Sequence, residues 1–210
     1  MAHTSSSELL VLHGLRVKGM ADAAAIARRF DLDLELVDEL LLDYEAFGWI
    51  SRVHFADVDG WSLTVLGVAE NERRLAAELD QTDARSKVLA AHEVFVVLNS
   101  RFLVAMTNWQ IRPRGGDRLA ANDHTDWSWD QHVLDELHGL RHRLQPVCSG
   151  LADALARFAG YTERYSAALD KVDRGERSWV AQPKIDSCHT VWMELHEDLL
   201  ATLGLERGSS

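Results

Sequence analysis

The stretch DAAAIARRFDLDLELVDELLLDYEAFGWI, residues 22–50, decides the fold of the first part of the chain. Asp22 and Asp33 each precede a run with apolar residues at helical spacing, so each is expected to cap the N-terminus of a helix. The second run has one apolar face, formed by Val37, Leu41 and Tyr44. Gly48 follows where helices commonly end in a left-handed residue. The stretch therefore predicts two helices joined by a short turn.

The sequence on either side predicts one helix before this pair, and a hairpin and a further helix after it. Residues 8–17 carry apolar side chains at helical spacing, and residues 49–55 alternate as a half-buried strand does. Residues 57–60 have the composition of a turn, and residues 61–65 that of the return strand. A helical period resumes over residues 67–79. This order of elements is typical of a winged helix.

The remainder of the chain predicts four amphipathic helices, which suggests a helical bundle. They run from about residue 83 to 110, from 129 to 144, from 146 to 175 and from 185 to 203. Pro146 is expected in the first turn of the third, where its missing N–H does no harm. We therefore expect a mainly α protein, with a winged-helix domain over residues 1–80 and a helical bundle domain over residues 81–210.

Two motifs in the first domain resemble the MarR-like winged-helix family. Residues 22–50 resemble its helix-turn-helix followed by a Gly-Trp-Ile strand entry, and GWSLTVLGVAENERRL, residues 60–75, resembles its Gly-x-x-Leu-Thr-x-x-Gly exit from the wing. The resemblance covers residues 8–80 and implies a transcriptional regulator that binds DNA. The second half resembles segments found beside phosphoenolpyruvate-utilising enzymes in actinobacteria, which favours an adaptor instead.

The charge of the first eighty residues opposes DNA binding. They hold seven Lys and Arg against 15 acids, so −8 of the net charge of −11 lies there. If the apolar face of the third helix is buried, its outward residues are Glu35, Asp38, Glu39, Leu42, Asp43 and Glu45. Helices that read DNA need side chains that donate to phosphates and base edges, and carboxylates repel phosphates. An acidic helix with exposed leucines suits a basic protein partner.

Few basic residues remain for DNA. Arg52 and His54 lie on the wing, and Arg28 and Arg29 lie on the second helix, where they could join Arg16 and Lys18 as one basic edge in a dimer. Two hypotheses remain for this surface, a DNA-binding regulator that the electrostatics disfavour and an adaptor that binds protein. Either would use the same residues: Arg28, Arg29, Glu35, Asp38, Glu39, Leu42, Asp43, Arg52 and His54.

The second domain contains candidates for a small-molecule effector pocket. Five of the seven Trp lie there, and His189, Trp192 and His196 fall on one stripe of the last helix. Trp and His side chains line ligand pockets, but they also pack in ordinary cores. Asp123 and His124 lie on the loop between two of the predicted helices, where Asp residues also commonly form turns. The candidate pocket residues are Trp109, Asp123, His124, Trp179, Asp186, His189, Trp192 and His196.

The sequence favours neither an enzyme nor a metalloprotein. It contains no phosphate-binding loop, dinucleotide fingerprint, Gly-x-Ser-x-Gly or Cys-x-x-Cys. His138 and His142 have chelating spacing, but no third ligand is fixed by spacing, so we expect a solvated helix face and neither metal nor cofactor. Cys148 and Cys188 are expected to be reduced and packed. No continuous apolar run reaches the length of a membrane helix, so we expect no membrane partner. We also expect the protein to be cytoplasmic and to form a homodimer.

Overall fold

The computed structural model describes residues 2–55 and 58–206, without the side chains of Phe55 and Val58. The described chain is mainly helical, 70% helix and 8% strand, with one two-stranded antiparallel sheet. The elements are α1 (Ser7–Lys18), α2 (Ala23–Phe30), α3 (Leu34–Ala46), β1 (Ile50–Phe55), β2 (Val58–Leu63), α4 (Val65–Thr82), α5 (Arg85–Gln110), α6 (Trp127–Ala154), α7 (Tyr161–Asp173) and α8 (Cys188–Leu203). Short 3₁₀ turns occupy Ala156–Phe158 and Arg177–Val180. The chain forms two compact units, residues 1–89, 151–158 and 194–210, and residues 90–150 and 159–193.

The first three helices of the first unit each begin at a capping side chain. Asp22 accepts a hydrogen bond from the backbone N–H of the residue three positions later at 2.7 Å, and Asp33 does the same at 3.0 Å. Ser6 caps α1 in the same way at 3.3 Å. Because each cap satisfies an N–H that the helix leaves unpaired, it fixes where the helix starts. The two caps predicted from the sequence, Asp22 and Asp33, are confirmed.

The core of the first unit lies among α1, α2, α3 and the hairpin. The predicted inward face of α3 is confirmed, since Val37, Leu41 and Tyr44 are all buried. Tyr44 also donates its hydroxyl to the Glu8 carbonyl at 2.7 Å, so this buried polar group is paired. Packing of this face fixes which side of α3 meets solvent.

The hairpin begins its return strand earlier than predicted. Residues 58–60, expected in the turn, belong to β2, and His54 pairs with Asp59 across the sheet. Asp57 lies outside the described residues. Ala21 extends the sheet by exchanging both backbone hydrogen bonds with Trp61, at 2.8 and 3.1 Å. The segment between α1 and α2 is thereby attached to the hairpin.

Two glycines of the Gly-x-x-Leu-Thr-x-x-Gly pattern are required by close backbone approaches. A Cβ on Gly60 would lie 3.0 Å from the Ala21 carbonyl oxygen, and a Cβ on Gly67 would overlap the Trp49 carbonyl oxygen. Thr64 caps α4 by accepting from Gly67 N–H at 3.2 Å, and it donates its hydroxyl to the Gly48 carbonyl at 2.7 Å. The pattern therefore holds the start of α4 against the entry to β1.

In the second unit, aromatic side chains surround the buried Trp192. Its ring stacks on Phe102 with centroids 4.4 Å apart and planes within 4°, and the Phe95 ring lies 5.1 Å away. The indole N–H donates to the Asn99 side-chain oxygen at 3.0 Å. Such stacking is an effective core for a helical unit, because it buries large apolar area while the indole N–H keeps a hydrogen-bond partner.

Helix α6 continues through Pro146, so the expectation of a new helix at that residue is wrong. Its inward residues keep helical spacing on both sides of the proline: Leu137, Leu140, Leu144, Cys148 and Leu151. Pro146 and His142, whose carbonyl loses its helical partner, both lie on the exposed face. Water can satisfy that carbonyl, and burial of the continuous apolar face offsets the lost bond. The chain breaks instead at residues 155–160, where Gly160 has φ +87°.

Helix α5 is long and apolar enough to cross a membrane by length and composition alone. Its most apolar 18-residue window has a mean hydropathy of 1.5, and 33% of that window is buried. Core helices of soluble proteins pass the same test. The helix is interrupted by polar residues that have partners, since Arg101 pairs with Glu136 and Asn99 accepts from Trp192. The length and composition of α5 are therefore only weak evidence for a membrane-spanning helix.

Candidate functional site

The outward face of α3 is a continuous acidic surface. Its acids are exposed to solvent: Glu35, Asp38, Glu39, Asp43 and Glu45. Between Asp31 and Phe47 the chain has seven acids and no Lys or Arg. No cation of the helix itself therefore neutralises this surface, which we call the acidic face.

Exposed apolar side chains lie among these acids. On α3 and directly after it the exposed fractions are 46% for Leu34, 38% for Leu36, 62% for Leu42 and 59% for Phe47. The Phe47 ring contacts the Trp49 ring at a centroid distance of 4.8 Å. Since α4 starts against residues 48–49, its exposed Val65 and Leu66 lie at the same end of α3. The acidic face thus contains exposed apolar side chains, such as Leu42, and has others beside it.

The two basic candidates on the hairpin are partly neutralised. Arg52 Nε lies 3.4 Å from the Asp59 carboxylate, and His54 Nδ1 lies 3.4 Å from the same group. The Arg52 guanidinium also lies over the Trp61 ring, 5.3 Å from its centroid. A phosphate would have to compete with Asp59 for both groups, so the hairpin offers little net positive charge.

Most of the basic edge expected from α1 and α2 is used inside the first unit. The partners are Glu72 and Glu197 for Arg16, at 3.4 and 2.7 Å, Glu194 for Lys18, at 3.0 Å, and the Arg157 carbonyl for Arg29, at 3.2 Å. Arg28 is exposed to solvent. The four residues therefore do not present four accessible charges, as the hypothesis of a basic edge requires.

A buried ionic network in the first unit was missed by sequence reasoning. The Arg157 guanidinium, which is fully buried, donates to Glu78 at 3.0 Å, to Thr202 at 2.8 Å and to Asp198. Nε2 of His13 lies 2.9 Å from the Asp198 carboxylate, and Ser5 donates its hydroxyl to Glu78. A buried charge is costly unless it is paired and hydrogen-bonded, as these are.

The electrostatics of this network point to a structural role. Burial alone would raise the pKa of Asp198, but the charges of Arg157 and His13 outweigh it and hold that pKa well below its usual range. The carboxylate is therefore ionised and paired, with no solvent access for a substrate. One signal was present in the sequence, because Asp198 stands on the apolar face of α8 between Leu195 and Leu199.

In the second unit, the structure brings together two of the residues expected to form a pocket. The rings of Trp109 and His124 lie 4.5 Å apart, and Nδ1 of His124 lies 3.1 Å from the buried Asp130 carboxylate. Asn122 also donates to Asp130 at 2.9 Å, and Arg177 lies 3.5 Å from it. Asp130 was not predicted, yet it organises this cluster through contacts with two segments, the loop of Asn122 and His124 and the 3₁₀ turn of Arg177.

Three other predicted pocket residues make separate contacts. Asp123 accepts from Arg114 at 2.8 Å, and Asp186 accepts from Arg164 at 2.8 and 2.9 Å. The Trp179 ring lies under the Lys171 ammonium, 3.4 Å from its centroid. These contacts each account for the residue as a surface ion pair or a cation–π pair.

The predicted residues of α8 are divided between the two units. His189 and Trp192 belong to the second, where His189 stacks on Phe102 at a centroid distance of 6.2 Å. Partial burial lowers the pKa of His189, which favours the neutral ring. Trp192 is completely buried in the aromatic core, and His196 belongs to the first unit. The eight predicted residues thus occur in several separate environments.

An open groove in the second unit was also not predicted. It has a volume of about 430 Å³ and lies between α5 and α6, with Arg101, Val104, His132 and Glu136 among its lining residues. Arg101 and Glu136 form a bidentate ion pair there, with both N–O distances 2.7 Å. The groove lining includes no residue predicted for the effector pocket.

No cluster of three or more His, Cys, Asp or Glu side chains arranged to hold a metal ion occurs among residues 2–55 and 58–206. His138 is used instead in a 3.0 Å contact between Nε2 and Asp173. Cys148 and Cys188 are buried thiols that form no disulfide with each other, as predicted. Comparison of the chain with protein-family models, with curated proteins and with solved structures finds no match.

Proposed function

We propose that this chain is a non-catalytic adaptor whose acidic face on α3 binds a basic surface of another protein. In this proposal the first unit is a winged helix that serves protein recognition. Support for the fold comes from the order α1–α2–α3–β1–β2–α4 and from the bridge between Ala21 and Trp61. The observation that carries the function is the exposure of five acids on α3 without an intervening base.

The electrostatic argument depends on where charge remains uncompensated. Arg16, Lys18 and Arg52 are each within 3.4 Å of a carboxylate, so they add little positive field outside the unit. The acids of α3, by contrast, are exposed on a helix without Lys or Arg, so their negative charge is not compensated within the helix. A negative surface attracts cationic partners over about 10 Å at 0.1 M salt, and it repels a phosphate backbone over the same range.

The exposed apolar side chains among and beside the acids can supply binding affinity, which charge alone does not. Charge complementarity sets partner choice and association rate more than affinity, whereas affinity comes from apolar anchors that leave water. Leu42 and Phe47, exposed at 62% and 59%, lie beside the acids and are suited to that role. The complementary partner is a basic amphipathic helix, with Lys or Arg beside leucine-sized side chains.

A second candidate function is a DNA-binding transcriptional regulator. The order of α2, turn, α3 and hairpin favours it, as does the exposed Arg28. It requires contact with phosphates, which would come from Arg28 and from the hairpin after Arg52 leaves Asp59. The negative charge on α3 would strengthen binding to a basic protein surface and weaken binding to DNA, so the two candidates can be distinguished by changing that charge.

A peptide titration tests the proposal with the full chain. The probes are a fluorescent amphipathic peptide of Lys and Leu, a Glu and Leu counterpart, and a mixed-sequence DNA duplex, each at 50 mM and 300 mM salt. We expect the Lys peptide to bind most tightly, with affinity falling as salt rises. Asp38→Lys with Asp43→Lys should weaken binding at least tenfold. Glu163→Lys with Asp170→Lys makes the same charge change on exposed positions of α7 and should alter binding less than twofold.

Equal loss in the two double variants would show that only net charge matters and would reject the acidic face as a site. Leu42→Ser separates a specific surface from a diffuse field, since it removes an anchor and no charge; we expect at least fivefold weaker binding. Tight binding of the duplex by the unmodified chain, without binding of the Lys peptide, would establish the regulator in place of the adaptor.

A further inference from the structure

The outward side of α5 in the second unit is almost free of charge. Between residues 90 and 110 its exposed positions are Ala90, Glu93, Val94, Val97, Ser100, Leu103, Val104, Thr107 and Gln110. Glu93 is the one ionisable residue in that set. In a chain with 26% charged residues, a solvated helix of about 30 Å would ordinarily carry several charges. Val97 and Val104 are 64% and 59% exposed.

Most of these side chains, together with the partly exposed Arg101, form one strip centred on Val97. At about 100° per residue, positions 90, 93, 94, 100, 101 and 104 all lie within about 60° of Val97 around the helix. Leu103, 47% exposed, lies about 120° away and outside the strip. The groove between α5 and α6 borders the strip, because Ser100, Arg101 and Val104 belong to both.

We propose that the strip is a homodimer interface, in which α5 of two copies pack antiparallel about a two-fold axis at Val97. This surface is separate from the acidic face, and the proposal is independent of the function proposed above. In such an isologous contact each residue meets the one at the mirrored position, so Val97 meets the partner's Val97. The positions on either side then decide whether a second copy fits.

The charges on the strip fit a second copy in this orientation. Glu93 and Arg101 lie four residues before and after Val97, so the two-fold axis places Glu93 level with the partner's Arg101, twice per dimer. Arg101 donates Nε and Nη2 to Glu136, and its Nη1 group is the donor that the proposed contact with the partner's Glu93 would use. A parallel arrangement would place Glu93 beside the partner's Glu93, which is unfavourable. Charge therefore selects the antiparallel dimer.

The side-chain sizes are also complementary. The same axis places Ala90 level with the partner's Val104, and Val94 level with the partner's Ser100. Small residues thus meet larger ones, which allows the helices to approach to the usual 8–10 Å. Two copies of a chain with net charge −11 repel each other over most of their surface, whereas the strip itself contains only one acid, Glu93, and one base, Arg101, which is paired with Glu136.

Sedimentation velocity of the full chain over a hundredfold concentration range tests the dimer. We expect the unmodified chain to be dimeric at micromolar concentration and Val97→Glu to be monomeric throughout. Leu103→Glu is the matched control, because it adds the same charge to the same exposed helix outside the strip, and it should leave the dimer intact. Circular dichroism checks that both variants fold.

Cross-linking tests the position of the axis. Val97→Cys should form an intermolecular disulfide under mild oxidation, since a residue on the axis faces its own copy, whereas Leu103→Cys should not. A monomeric chain at every concentration, or a dimer that Val97→Glu leaves unchanged, would overturn the proposal. Monomeric chain that binds neutral phosphatidylcholine vesicles through this strip would overturn it as well, in favour of a lipid surface.

Discussion

Nε2 of His13 lies 2.9 Å from Oδ1 of Asp198, although 185 residues separate them in the chain, and both side chains are completely buried. Arg157 donates to the same carboxylate and to Glu78. The first unit is therefore stabilised by a paired set of charges from distant segments, and its stability should depend on each member.

Arg157→Met should destabilise the first unit strongly. The substitution keeps an apolar stem but leaves Glu78 and Asp198 buried without their guanidinium partner, which costs about 3–5 kcal/mol. Urea denaturation followed by circular dichroism measures the change. Arg73→Met is the control, because Arg73 is 66% exposed in its pair with Glu70, and such solvent-exposed pairs contribute little to stability. Similar losses in the two variants would contradict the network's importance.

The network should also make the protein sensitive to acid. Because Arg157 and His13 hold the folded pKa of Asp198 below its unfolded value of about 4, its stabilising contribution is present above that pH and is lost as pH falls below it. Glu70, whose pKa is lowered to about 2 mainly by its hydrogen bond from Arg73, adds a decline of the same sign. Asp198→Asn removes only the first contribution. Its melting temperature should therefore fall less steeply between pH 5 and pH 3, and identical slopes would argue against an ionised Asp198.

Gly67→Ala should be strongly destabilising. A Cβ at this position overlaps the Trp49 carbonyl, which is backbone and cannot rotate away, so we expect a loss of about 3 kcal/mol. Gly139→Ala is the matched change in open space within α6, where replacing helical glycine should stabilise by about 0.5–1 kcal/mol. Thermal denaturation measures both changes: Gly67→Ala should lower the melting temperature and Gly139→Ala should raise it. An unchanged melting temperature for Gly67→Ala would contradict the close approach of Gly67 to the Trp49 carbonyl.

Asn99→Leu should weaken the second unit. It removes the acceptor of the buried Trp192 indole N–H, and an unpaired buried donor costs about 1–3 kcal/mol. Urea denaturation followed by tryptophan fluorescence measures this loss. Asn108→Leu on the same helix places leucine in the open groove and serves as control. Equal stability of Asn99→Leu and the unmodified chain would indicate that water replaces the amide.

The two thiols should be unreactive in the native protein. Burial raises the pKa of the Cys188 thiol to about 12, so almost no thiolate exists at pH 8, and Cys148 is buried as well. Titration with a chromogenic disulfide reagent should release no colour from the folded chain and two equivalents in denaturant. Rapid release of one equivalent without denaturant would show that one cysteine is accessible.

The sequence was sufficient to predict features that depend on neighbouring residues. The caps at Asp22 and Asp33 and the inward face of α3 follow from local spacing, and the structure contains all of them. The prediction that a new helix starts at Pro146 was wrong, because it used only the local preference of proline for the first turn of a helix. Burial of the face that includes Leu144 and Cys148 stabilises α6 as one continuous helix through the proline. Tertiary packing overrode a local preference.

The sites were harder to predict because their partners are distant in the chain. Nothing near Arg157 indicates that it pairs with Glu78, 79 residues earlier. Asp130 likewise lies beside Arg177, which comes from a distant segment, only after folding. Helical spacing predicted that Trp192 lies on an inward face, but the stacking partner Phe102 comes from another helix.

The order in which a ribosome makes these segments has a consequence for how the first unit matures. His13 and Glu78 are synthesised long before Arg157, and Asp198 follows His13 by 185 residues. Until those later groups arrive, the nascent α1 and α4 cannot bury their polar side chains in the final arrangement. The helices near the start of the chain therefore complete their fold only after the second unit has been translated, which gives that unit the first opportunity to fold.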